Sequence, residues 1–188
     1  MTSRRARIVL LCEDSQQEAF IRRFLEGMGW NTRELRVVKS PSGKGSGEQW
    51  VREKFADELA IYRERRNRAA SGLIAVIDAD VQEVQDRIRD FEAACNARQI
   101  RFREDNDRVA IAVPKRNIET WIHYLNGSPV NEENAFPKLE KERLCQPAVR
   151  NLVARCKSTG LAEDAPSSLL AACHEYRDRI RPLETAGQ

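Results

Sequence analysis

The chain has 188 residues, 32 basic against 29 acidic side chains, and a formal net charge of +3. That length suits one domain with at most a small appendage, and 41% apolar residues are enough for a buried core, which excludes wholesale disorder. The near-balance of charge excludes a histone-like polycation but leaves room for a local basic groove.

No apolar run approaches the ~18 residues of a membrane span. The opening MTSRRAR passes straight into IVLLC, without the long apolar stretch and small-residue cleavage site of a secretion signal. Cys12, Cys95, Cys145, Cys156 and Cys173 are odd in number, widely spaced and free of any CxxC pair. Neither a disulfide framework nor a zinc cluster is expected, and a reducing cytoplasm is the expected location. His123 and His174 complete no metal-ligand pattern. The basic side comprises 25 Arg and 7 Lys. Arg grips phosphate with a planar fork, although a GC-rich genome produces the same bias.

In chain order, residues 8–12 (IVLLC) read as a buried strand. After Glu13-Asp14-Ser15 a helix follows, with Phe20, Phe24, Leu25 and Met28 on one stripe and Gly27 and Gly29 marking its end. Residues 33–38 (RELRVV) read as a second strand, and 39–47 (KSPSGKGSG) as a Gly/Ser loop with two lysines. Trp50, Val51, Phe55, Leu59 and Tyr62 form a helical stripe that ends in the basic run YRERRNR. Residues 73–77 (LIAVI) are the clearest central strand, closed by Asp78-Ala79-Asp80. Val84, Ile88, Phe91 and Cys95 define the next helix.

Residues 109–113 (VAIAV) are another buried strand, stopped by Pro114, and Ile118, Trp121, Ile122 and Leu125 form a short amphipathic helix. From Gly127 to Gln146 the pattern weakens. Two helices then follow, one through Val149, Leu152, Val153 and Cys156 and one through Leu169, Cys173, Tyr176 and Ile180, with fraying expected after Pro182. Strand–helix alternation through residue 126 predicts an α/β fold with a mostly parallel sheet of about four strands. Residues 127–188 are expected to be a helical C-terminal appendage, packing on residues 1–126 or binding a partner.

In an open parallel sheet, reacting groups gather at the carboxyl ends of the strands. Glu13 stands at the first such end, Asp78 and Asp80 at the third. Residues two apart in extended chain point the same way, so the two aspartates are expected to project together and to face Glu13 if their strands are neighbours. Converging carboxylates repel unless a divalent cation neutralises them. An oxygen-only site suits Mg²⁺ or Mn²⁺ and phosphodiester chemistry. Asp before a helix is also a favoured N-cap, and this reading stays open for the DxD. Glu119 either joins the site or serves the helix N-terminus electrostatically.

The segments IVLLCEDSQQEAFIRRFL and LIAVIDAD, in this order and strand context, resemble the TOPRIM domain, the metal-binding catalytic module of topoisomerases, bacterial primases, recombination-repair proteins and OLD-family nucleases. The segment IAVPKRNIETWIHYL is similar to one in small OLD-like members. The resemblance covers residues 7–126 and implies a Rossmann-like TOPRIM fold. It also implies metal ligation by Glu13, Asp78, Asp80 and Glu119, and Mg²⁺- or Mn²⁺-dependent cleavage of DNA or RNA. Lys115 and Arg116, past the fourth strand, are expected to stabilise charge, and Lys39 and Lys44 to hold a nucleic-acid phosphate; the Gly/Ser loop is not a Walker A motif.

The sequence departs from the family in three places: Asp14 stands where Gly is usual, Gln17 where OLD-like members often carry an acid, and no Gly follows the DxD. Asp14 or Glu18 is the substitute for the missing acid, with a solvated helix position as the other reading of Glu18. Standalone proteins of this kind resemble effectors of bacterial anti-phage defence, some of which work with a separately encoded ABC- or AAA-type ATPase; a homo-oligomer is compatible with this reading. A primase-like transferase and a non-catalytic regulatory subunit are the alternatives.

Overall fold

A computed structural model describes residues 6–41, 46–158 and 160–184; Lys44 lies outside the described residues. Four strands, β1 (Arg7–Cys12), β2 (Arg36–Lys39), β3 (Ser71–Val76) and β4 (Val109–Ala112), form one all-parallel sheet in the order β2-β1-β3-β4. Helices α1 (Ser15–Gly27), α2 (Gly47–Arg65) and α3 (Val84–Ala97) connect them, followed by α4 (Ile118–Leu125), α5 (Gln146–Lys157) and α6 (Ser167–Glu175). The result is a Rossmann-like α/β architecture. No helix of the described residues is long and apolar enough to cross a membrane.

The continuous apolar runs of β1, β3 and β4 follow from burial on both faces of the sheet. In β3 the alternation is explicit: Leu73 and Ala75 enter the core with Val51, Phe55, Leu59 and Phe91 of α2 and α3, while Ile74 and Val76 enter the opposite core. That second core takes Phe20, Phe24 and Leu25 of α1 together with Trp121, Leu152, Leu169 and Ile180. The helices beyond residue 126 therefore lie on the α1 face. Trp121 Nε1 donates to Ser168 Oγ at 2.8 Å, and Trp30 Nε1 to Tyr176 Oη at 3.0 Å. Trp121 is a core side chain, packed tilted against Phe20, and offers no stacking platform.

Three local expectations change. The second strand starts at Arg36 because Thr32–Leu35 fold into a turn, with the Leu35 N–H reaching Thr32 O. The end past Pro182 is docked: Leu183 is buried and sits over Gly72 of β3. In the basic run, Arg63 and Arg66 both bond the fully buried Asp107, so they serve the fold.

Candidate carboxylate site

The strand order makes the chain leave β1 for β2 on one side and return to β3 on the other. The crevice at the carboxyl ends of β1 and β3 is thus the point where the winding reverses, the usual ligand position in open α/β sheets. Cys12 and Val76 are the last pair in register, so Glu13 lies one residue and Asp78 two residues past the same end of the sheet. Glu13 Oε1 accepts the Asp78 N–H at 2.7 Å. Gln17, fully buried one turn along α1, clamps Glu13 from both ends: its Oε1 accepts the Glu13 N–H at 2.9 Å, and its Nε2 donates to Glu13 Oε1 at 3.4 Å. The other oxygen, Oε2, faces the start of α2, where Gly47 leaves space that a Cβ would press to 3.3 Å.

Asp78 Oδ1 is shut from solvent and has no hydrogen-bond partner, and the same holds for Glu119 Oε1, whose residue is 1% exposed at the first turn of α4. Burial pushes the Glu13 carboxyl up to about 7, against the hydrogen bonds from Asp78 and Gln17, with Asp80 and Asp14 adding repulsion. Burial also holds Asp78 well above the carboxylate range, helped by the charges of Glu13, Asp14 and Glu119. Glu119 is raised by burial and then by Asp14, with Lys138 opposing. Glu13, Asp14, Asp78, Asp80 and Glu119 therefore form one electrostatically coupled group.

Asp80 departs from the expected parallel projection. Its backbone is left-handed, φ +54°, and Arg116 latches the kink by accepting the Asp80 N–H on its carbonyl while its guanidinium donates to Asp80 O. The kink breaks the extended alternation and turns the Asp80 side chain outward, 58% exposed and 3.4 Å from Arg87 of α3. Asp80 does not cap the helix either: α3 starts at Val84, with Glu83 at the N-cap position.

The remaining expected residues ring this crevice. Lys115 bonds Glu83 at 2.7 Å, and Arg116 Nε reaches Glu133 O at 2.8 Å. Lys39, at the end of β2, bonds Ser15 Oγ and Glu18 Oε2, each at 3.0 Å. Lys39 and Arg22 hold the Glu18 carboxyl below its usual range despite partial burial, so Glu18 is already paired with two cations. Asp14 caps α1 through Gln16 and Gln17 N–H, each at 2.9 Å, and pairs with Lys138 at 3.1 Å.

Gln17, Lys138 and Arg87 were not among the sequence candidates. Gln17 had a usable signal, one helical turn past Glu13. Lys138 comes from the weakly patterned stretch, carried to the site because Asn117 pins Phe136 through two backbone bonds. Arg87 is buried on α3 and pairs with Glu48, Asp80 and Asp90.

The protein is thus a parallel α/β protein whose winding reversal carries coupled carboxylates, with Glu13, Asp78 and Glu119 mostly buried and Asp80 exposed. No family model matches the chain, and no curated protein or solved structure is significantly similar to it. Among the described residues no three His, Cys, Asp or Glu side chains are drawn close enough to form a closed metal-binding group.

Proposed function

We propose that this chain is a Mg²⁺- or Mn²⁺-dependent nuclease of TOPRIM type that cleaves phosphodiester bonds in DNA or RNA. The observation that carries the reading is the pair of buried carboxylate oxygens without partners, Asp78 Oδ1 and Glu119 Oε1, in one coupled group with Glu13. Buried polar atoms are ordinarily satisfied, and an oxygen-only, repulsive donor set fits a hard divalent cation. Glu13, Asp78 and Glu119 would hold it, and Asp80, turned outward on Arg87, would join only by leaving that contact. Bound there, the ion would supply Lewis-acid polarisation of a phosphoryl oxygen.

The chain's own residues supply the rest. Gln17 and the Asp78 N–H fix the Glu13 carboxylate. Arg87 holds Asp80 at the rim. Lys138, at 75% side-chain exposure, offers charge to a phosphate beside the cluster, with Lys115 and Arg116 on the β4 side and Lys39 on the β2 side. By the family resemblance, the work of such a nuclease is anti-phage defence, with a separately encoded ABC- or AAA-type ATPase as partner.

A second reading, a non-catalytic subunit of such an ATPase-containing complex, draws on Gln17 in place of an acid and on the absence of a closed three-ligand group among the described residues. Incubation of plasmid DNA and single-stranded RNA with purified protein and Mg²⁺ or Mn²⁺ separates the two. The nuclease reading expects metal-dependent cleavage that the double variant Asp78→Ala/Asp80→Ala abolishes while its melting temperature stays equal or rises. Equal cleavage by the variant, or none by the wild type with either metal, overturns it.

A further inference from the structure

Cys156 near the end of α5 and Cys173 in α6 bring their Sγ atoms to 4.0 Å. Both are partly exposed, whereas Cys12, Cys95 and Cys145 are sealed in the core. The pair borders an open cavity of about 240 Å³ whose rim also carries His174, Arg177 and Arg181. A small reagent thus reaches these two thiols and not the other three, and positive charge around a thiol favours its thiolate.

Either sulfur can donate the hydrogen bond between them, and Arg181 beside Cys156 and Arg177 beside Cys173 each favour a thiolate against burial. Either sulfur can therefore attack, with the other resolving. An S–S bond is about 2.0 Å long. The closure needed from 4.0 Å is smaller than the ~3 Å that a Sγ travels between staggered rotamers.

We propose that Cys156 and Cys173 form a redox-active dithiol that reacts with low-molecular-weight disulfides by thiol–disulfide exchange. Taking Cys156 first, with the two roles exchangeable, its thiolate attacks one sulfur of the disulfide RSSR. A Cys156–SR bond forms, the S–S bond of the reagent breaks, and RS⁻ leaves and takes up the proton that Cys156 released. The Cys173 thiolate then attacks Cys156 Sγ and expels the second RS⁻, which takes up the proton released by Cys173. Two protein thiols are oxidised to one disulfide and one RSSR is reduced to two RSH. The product ties α5 to α6 on the α1 face of the sheet. This proposal stands apart from the nuclease reading.

The test uses the full chain, reduced and then incubated with oxidised glutathione. The expected result is loss of two of the five thiols, an intact mass lower by two hydrogen atoms, one intramolecular crosslink joining the Cys156 and Cys173 peptides, and a melting temperature several degrees above that of the reduced protein. Cys173→Ser should stop at a glutathione adduct on Cys156 and Cys156→Ser at one on Cys173, and neither should form the crosslink. Five titratable thiols remaining after incubation, or a stable glutathione adduct on the wild type in place of the crosslink, overturns the proposal. Because both serine variants keep a side chain of similar size at a partly exposed position, their adduct pattern remains readable even if stability shifts.

Discussion

Asp78 and Glu13 are the residues on which the site turns, and their ionisation sets a stability signature. The folded Glu13 carboxyl titrates near 7, against 4.5 for an unperturbed glutamate. The folded chain thus binds more protons than the unfolded chain across that interval. The stability tied to the protonated form is fully present below the unfolded value and is lost as pH rises through about 7. Asp78 and Glu119 shift in the same direction. Asp107 and Glu132, whose carboxyls are held low despite burial by their hydrogen bonds, act below this window.

Metal-free protein is therefore expected to lose melting temperature between pH 5 and pH 8, with Glu13 contributing on the order of 3 kcal/mol at most. Asp78→Asn, followed by calorimetry across the same range, should flatten the slope, because it removes one of the repelling charges. An unchanged slope in the variant would show that the two carboxylates are not coupled.

At the scale of elements, α2 begins against the site. Ser46 caps it and Gly47 leaves the space beside Glu13 Oε2. Gly47→Ala should keep or raise the melting temperature, since Ala is the better helix residue. The crowded carboxylate should cost about tenfold in divalent-metal affinity, the usual scale for disturbing the support of a ligand. Isothermal titration with Mn²⁺ alongside thermal melts checks both halves; unchanged affinity would mean that the Glu13 position tolerates the added methyl.

The same scale shows what periodicity carries. IVLLC, LIAVI and VAIAV became β1, β3 and β4 because strands buried on both faces leave a continuous apolar signature. Glu13, Asp78 and Glu119 were legible because each directly follows such a run or opens the next helix. The outward turn of Asp80 was not legible: it rests on a left-handed residue latched by Arg116, 36 positions away in the chain. Nor was Lys138, whose arrival depends on Asn117 holding a stretch without periodicity.

For the whole molecule, the helices after residue 126 complete a core that residues 1–126 begin. Leu152, Leu169 and Ile180 are buried with Ile8, Leu10 and Phe24, and Tyr176 meets the Phe24 ring edge-on at 4.9 Å between centroids. Burial of each large apolar side chain is worth about 1.5–3 kcal/mol, against a typical total stability of about 5–15 kcal/mol. A fragment ending at residue 126 should show no cooperative melt by circular dichroism. A fragment that melts like the full chain would make the C-terminal helices a separable unit.

On the proposed function, the carboxylates at the β1/β3 crevice repel one another until a divalent cation neutralises them. Electron paramagnetic resonance of Mn²⁺ titrated into the metal-free protein tests it without requiring the substrate. Wild-type protein should remove the free-ion signal saturably, Mg²⁺ should compete, and Asp78→Asn, folded by its melting curve, should leave the ion free. Full Mn²⁺ binding by Asp78→Asn, or none by the wild type, would rule out a cation at these carboxylates.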